Sequence, residues 1–187
     1  MLLRTIVYGS LALAVGFAAL NWDNLLDHVD GLRAAKIDID LPFDGLSEAS
    51  SEPLLRQRYG DDNWRCIDEP EHRLGSRQCH VDVRTVGGLR SLVLVYFFKA
   101  GRLAHAKVDV VSWEHAEALR VLEQRYGTPS GAQRQFVQGV RLVGWRLEAG
   151  NVLVNRDQPV NPLQWNTVFW MSHREAGAVS GLFKPAK

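Results

Sequence analysis

From Thr5 to Trp22 the chain reads TIVYGSLALAVGFAALNW, eighteen residues without a charge, behind a start that carries Arg4 and the free amino group. As a helix this run is about 27 Å long at 1.5 Å per residue, close to the roughly 30 Å of a bilayer's hydrocarbon core. The sequence therefore predicts a segment that starts the chain into or across a bacterial inner membrane, with everything after residue 22 delivered to the periplasm. Trp22 falls at the far interface, where an indole keeps its ring apolar and its N–H wet, and Asp23, Asp27 and Asp30 lie beyond it. Arg33 and Lys36 stand on the same side, so the charge bias that sets orientation is small. The competing reading is a cleaved signal peptide and a secreted or periplasmic product, but Gly16-Phe17-Ala18 matches a small-x-small cleavage site only weakly, so a retained single-pass anchor is preferred. A buried core helix would need protein on every side of the run. The first cysteine is Cys66, which excludes a lipid attached near the segment's end.

Leu25, Leu26, Val29 and Leu32 recur at helical spacing, which predicts an amphipathic stalk to about Ala35. Pro42 and Gly45 then mark linker and turn. The expected organisation is an anchor or signal segment over residues 1–22, stalk and linker over 23–43, an α+β periplasmic domain over 44–174, and a tail over 175–187. Ser51 ahead of Glu52 and Pro53 starts a helix that stops at Tyr59-Gly60, the Ser51 hydroxyl being expected to cap its amides. A second helix begins after Ser112 and stops at Gly127, with Pro129 behind it. Strand patterns follow each helix: WRCI, QCHVDVR, SLVLVYFF and RLAHAKVDVV after the first, RQFVQ, VRLVGWRL, VLVNR and QWNTVFWMSH after the second. Alternation is clearest where Ala104, Ala106, Val108 and Val110 oppose His105, Lys107 and Asp109. The fold class is thus α+β: antiparallel meander sheet with two helices packed on one face. LLRQRYG (54–60) and VLEQRYG (121–127), each ahead of about four strand patterns, raise a tandem helix-plus-four-strand repeat, against the simpler reading of two helix ends with the same capping chemistry.

Cys66 and Cys79 lie on neighbouring predicted strands around a loop rich in Pro, Glu, Gly and Ser, so a disulfide is expected in an exported domain. A metal site using Cys66, Cys79, His80 and His72 lacks any C-x-x-C or H-x-x-x-H spacing. No G-x-S-x-G, H-E-x-x-H, Walker or G-x-G-x-x-G pattern occurs, so no catalytic residue, metal or cofactor is assigned. The histidines at 28, 72, 80, 105, 115 and 173 are scattered and expected at the surface; Asp61-Asp62 and Glu69/Glu71 read as solvated turns. Beyond residue 22 the charge is zero, since 22 basic residues less Arg4 leave 21 against 21 acidic ones. That excludes the basic surface nucleic acid requires.

Large side chains exceed what two helices on one face need: LVLVYFF (92–98), Trp145, Trp165, Phe169 and Trp170. Either the half-sheets or the stalk cover them, or Tyr96, Trp145 and Trp170 anchor a partner. Asp44-Gly45-Leu46-Ser47, a helix closing in Tyr-Gly, a Trp-initiated strand and the hairpin Phe-Phe-Lys-Ala-Gly-Arg-Leu together resemble the small modules of the β-lactamase-inhibitor-like and outer-membrane-assembly-lipoprotein group, over residues 44–111 and again over 112–173. The resemblance implies a periplasmic binding module with no enzymatic activity, although this chain has an apolar anchor where those lipoproteins have a lipidated cysteine. The expected function is a membrane-tethered module binding another envelope protein. The alternatives are a small-ligand binder or enzyme with an unrecognised pocket, and an inhibitor or immunity-type protein.

Overall fold

The computed structural model describes residues 37–136 and 140–178. The predicted anchor, the predicted stalk and the end of the tail lie outside the described residues, and no described helix is long and apolar enough to cross a membrane. Among the described residues the strands are β1 (Ile37–Ile39), β2 (Trp64–Asp68), β3 (Arg77–Val86), β4 (Leu89–Lys99), β5 (Arg102–Val111), β6 (Gly131–Phe136), β7 (Val140–Arg146), β8 (Gly150–Asn155) and β9 (Trp165–Ser172). The helices are α1 (Glu52–Tyr59), α2 (His115–Tyr126) and α3 (His173–Ala178). The strands form one sheet in the order β1-β3-β4-β5-β9-β8-β7-β6, with β2 also on β3. Only β1 pairs in parallel. It lies beside Val83–Val86 of β3, whereas β2 lies beside Arg77–Val81, so both share one flank of that long strand.

Each of the first two helices precedes a four-strand meander, and the two meanders meet where β5 pairs antiparallel with β9 from His105/Met171 to Val111/Trp165. Both helices end on glycine at positive φ (Gly60 +82°, Gly127 +78°), whose N–H donates to the carbonyl four residues back, at 3.0 Å to Arg56 and 2.8 Å to Glu123. The common Gln-Arg-Tyr-Gly ending therefore carries one capping geometry twice. The start of α1 departs from expectation. Ser51 makes no side-chain cap, and the helix begins on Pro53, whose φ suits a first turn, and on Glu52, whose charge suits the dipole there.

The core lies between the sheet and the first two helices. Leu55 and Tyr59 of α1 and Ala118 and Leu122 of α2 pack in one cluster with Val81, Leu94, Tyr96, Ala106, Val108, Val152, Val168 and Trp170. This confirms two helices against one face. A third, α3, lies on the opposite face, where Ala176 packs against Leu153 and Met171. Two boundaries are corrected accordingly. Residues 37–39, assigned to the linker, form a sheet strand, and the division between 174 and 175 cuts through α3.

Gly150 approaches the indole of Trp170 so closely that a methyl group there would lie 2.5 Å from the ring. Gly150→Ala is expected to cost about 1–3 kcal/mol by overpacking. Trp170→Ala should cost about 3–5 kcal/mol, both read from urea midpoints.

Candidate functional site

Strand β2 and the start of β3 carry the bridge: Cys66 and Cys79 are directly opposed in the register and joined at an S–S distance of 2.06 Å. Beside it, Arg77 acts as a hub. Its Nε and Nη2 donate to the Glu52 carboxylate at 2.7 and 3.1 Å, while Nη1 donates to both Asp68 oxygens at 2.9 and 3.0 Å. The Arg77 hydrogen bonds hold the Glu52 carboxyl below its usual range, overcoming the opposing effect of partial burial. Glu52 Oε1 also lies 3.3 Å from Cys66 Sγ. Glu52, Cys66 and Cys79 are thus close enough to resemble a metal cluster, but the two sulfurs are bonded to each other. His80, the next residue after Cys79, points to the other side of the sheet because side chains alternate along a strand.

The disulfide and Arg77 close the base of a loop, residues 69–76, that folds over the sheet face opposite α1 and α2. Backbone bonds shape it: Glu69 N–H to Ser76 O at 2.8 Å, His72 N–H to Glu69 O at 3.0 Å and Gly75 N–H to His72 O at 3.2 Å. The loop presses against β4 at Gly75, where an added methyl would meet the Phe98 carbonyl oxygen at 2.7 Å. Two contacts fasten it. The His72 ring stacks on Phe97 at 5.3 Å, and His105 Nδ1–H donates to the Leu74 carbonyl at 2.7 Å while its ring rests against Phe169.

The register lays two rows of side chains across this face. One runs Gln78, Phe97, His105, Met171, Asn151 and lies beneath the loop and α3. The other runs His80, Val95, Lys107, Phe169, Leu153 through the middle of the face. Around the second row the charges are paired: Arg65 with Asp82, and Lys107 Nζ with Asp109 at 2.8 Å, which also accepts from Thr167 at 2.7 Å. His80 Nε2 is buried without a hydrogen-bond partner among the described residues, and burial, then the Lys107 and Arg65 charges, push its pKa below 6.5. His105 is lowered as well, by burial first, against the opposing bond to Leu74.

The three aromatic residues expected to anchor a partner do not reach the surface. Tyr96, Trp145 and Trp170 are at most 1% exposed and belong to the helix-side core. Tyr96 shares a 2.7 Å hydroxyl–hydroxyl hydrogen bond with Tyr59, its ring beside that of Trp64, and the Trp145 indole N–H donates to the Gly127 carbonyl at 2.8 Å. The Trp170 indole nitrogen is buried without a hydrogen-bond partner among the described residues, and all three rings are taken up by packing inside the core. Two histidines assigned to the surface are also interior. His105 is the loop fastening, and His115 donates from Nε2 to the Arg156 carbonyl at 3.1 Å and accepts at Nδ1 from Asn166, tying the start of α2 to the β8–β9 loop and β9. Nothing in the spacing of these histidines marks them as buried; the only local signal is that His105 lies within a long apolar strand.

Fold and face together define an α+β protein with two joined meanders, one sheet face under two helices and the other partly roofed by a disulfide-closed loop. Comparison of the chain with family models, with curated proteins and with solved structures yields no match.

Reducing Cys66–Cys79 should cost about 3 kcal/mol, as loop-closure entropy implies for a loop of this size, read as a drop in urea midpoint with dithiothreitol that a Cys66→Ala/Cys79→Ala variant does not show. For His80 and His105 the folded state prefers the neutral ring, so their contribution to stability is present above pH 6.5 and is lost as the pH falls through their lower folded values. The decline in urea midpoint between about pH 7 and pH 5.5 should be smaller in His80→Gln/His105→Gln than in the unaltered chain.

Proposed function

We propose that this chain is a protein-binding module of the bacterial envelope, tethered by its N-terminal segment, that offers the open sheet face to another envelope protein as accessory subunit or assembly factor. The observation carrying this reading is the central row of that face. His80, Lys107 and Phe169 are half-buried and combine apolar and charge-neutralised surface on a rigid sheet, the chemistry of a partner interface. The paired charges favour a protein over a polyanion. The disulfide agrees with an oxidising compartment, and the eighteen uncharged residues at 5–22 agree with delivery there. The order helix plus four strands occurs twice with the same Gln-Arg-Tyr-Gly helix ending, which supports a tandem repeat and the resemblance to the inhibitor-like and assembly-lipoprotein modules.

A photocrosslinking side chain at Lys107 or Phe169 is expected to capture one envelope protein from native membranes, and one at exposed Arg120 on α2 is not. Lys107→Glu/Phe169→Ser should reduce that capture at least about tenfold, about 1.4 kcal/mol, with the melting temperature retained. Equal capture from both faces would overturn the reading of the face, and a C-terminal reporter active only in the cytoplasm would overturn the compartment.

A further inference from the structure

We propose that the outer edge of β2 is a second docking site, which takes an extended, basic segment of a partner chain as an added strand. Among the described residues strand β2 pairs with β3 on one side and with no strand on the other. The Cα atoms of the opposed pair Cys66 and Cys79 are 4.0 Å apart, the narrow spacing of a non-hydrogen-bonded antiparallel pair. The amide and carbonyl of Cys66 therefore turn away from β3, and the two-residue period turns those of Asp68 and the carbonyl of Trp64 the same way, while the Trp64 amide already donates to the Asp61 carbonyl. The edge thus presents the amides of Cys66 and Asp68 and the carbonyls of Trp64, Cys66 and Asp68, with no bulge in its register and no proline in the strand, two features that commonly blunt such edges.

The edge is also held in shape before anything binds. The disulfide fixes its middle, and Arg77 holds Asp68 at its end while binding Glu52 on α1 above it. An incoming strand meets little ordering cost on this side. Large apolar side chains stand exposed here: Ile67 at 53% on β2 itself and Leu54 at 60% on α1, the helix whose Glu52 touches Cys66. They are two of the four exposed large hydrophobic residues among the described residues.

Charge selects the partner. Residues 61–71 contain Asp61, Asp62, Asp68, Glu69 and Glu71 against the single cation Arg65, which is held by Asp82 on the neighbouring strand. Asp61 is paired with Arg56, Asp68 with Arg77, and Glu69 accepts from Gln78, so the exposed Asp62 and Glu71 carry the selecting charge at the two ends. Acid at both ends of a short apolar edge fits a segment with lysine or arginine at its ends and β-branched residues between, bound chiefly by main-chain hydrogen bonds. This site lies on the strand edge, apart from the open face, and its test is independent of the proposal for that face.

The test uses the full chain in detergent micelles with the peptide acetyl-Lys-Lys-Val-Thr-Val-Lys-Lys-amide and its glutamate counterpart. The lysine peptide should slow amide exchange of Cys66 and Asp68 by about tenfold or more, and the glutamate peptide should not. Asp62→Lys/Glu71→Lys, two exposed changes, should weaken the lysine peptide's affinity about fivefold or more, with the thermal midpoint unchanged; Ile67→Asp should weaken it too. No protection at residues 64–68, protection confined to another part of the chain, or equal binding of both peptides would overturn the proposal.

Discussion

The antiparallel seam between β5 and β9 is the constraint on which the rest depends. Each meander alone is a small sheet with one helix and a cut edge; seven opposed residue pairs from His105/Met171 to Val111/Trp165 convert two such halves into one sheet over one core. Across the seam Ala106 faces Trp170 and Val108 faces Val168, so the largest ring in the region sits opposite the smallest side chain. Gly150 on β8 leaves room for the same ring from the other side. The seam therefore rests on size complementarity as well as on backbone pairing, and the cluster from Phe43 to Trp170 is continuous because of it.

The open face depends on the seam in turn, since its central row draws on strands from both meanders. The disulfide adds a roof to one end of that face by fixing the base of loop 69–76. The ion pairs around Arg77 are half-exposed, and such pairs contribute little net stability; their effect is geometric, setting α1, the end of β2 and the start of β3 in one arrangement. His72 on Phe97 and His105 under Leu74 then hold the loop down with contacts that leave the central row uncovered by it. The same bridge stiffens the outer edge of β2, so one covalent bond serves both surfaces.

Much of this architecture was legible in the chain itself. The endings at Tyr59-Gly60 and Tyr126-Gly127 were readable because only glycine enters the left-handed region at low cost. The alternation in β5 and the cysteine pairing were readable because a strand repeats every two residues and a hairpin sets two cysteines opposite each other. The histidines were not. His105 and Lys107 occupy equivalent alternating positions on one strand, yet one is covered by a loop arriving from residue 74 and the other is not. Tyr96 and Trp170 misled for a related reason: aromatic surplus in a sequence does not reveal whether a second half-sheet consumes it.

Local rules, then, were enough to determine where helices stop, which residues alternate and which cysteines pair. Each depends on neighbours a few positions away or on a covalent partner across one hairpin. The β5–β9 seam, the parallel attachment of β1, the burial of His105 and His115 and the identity of the exposed face depend on contacts between residues tens of positions apart. Only the tertiary structure decided them, because the free energy of such contacts lies in shape and burial that no single stretch of chain possesses.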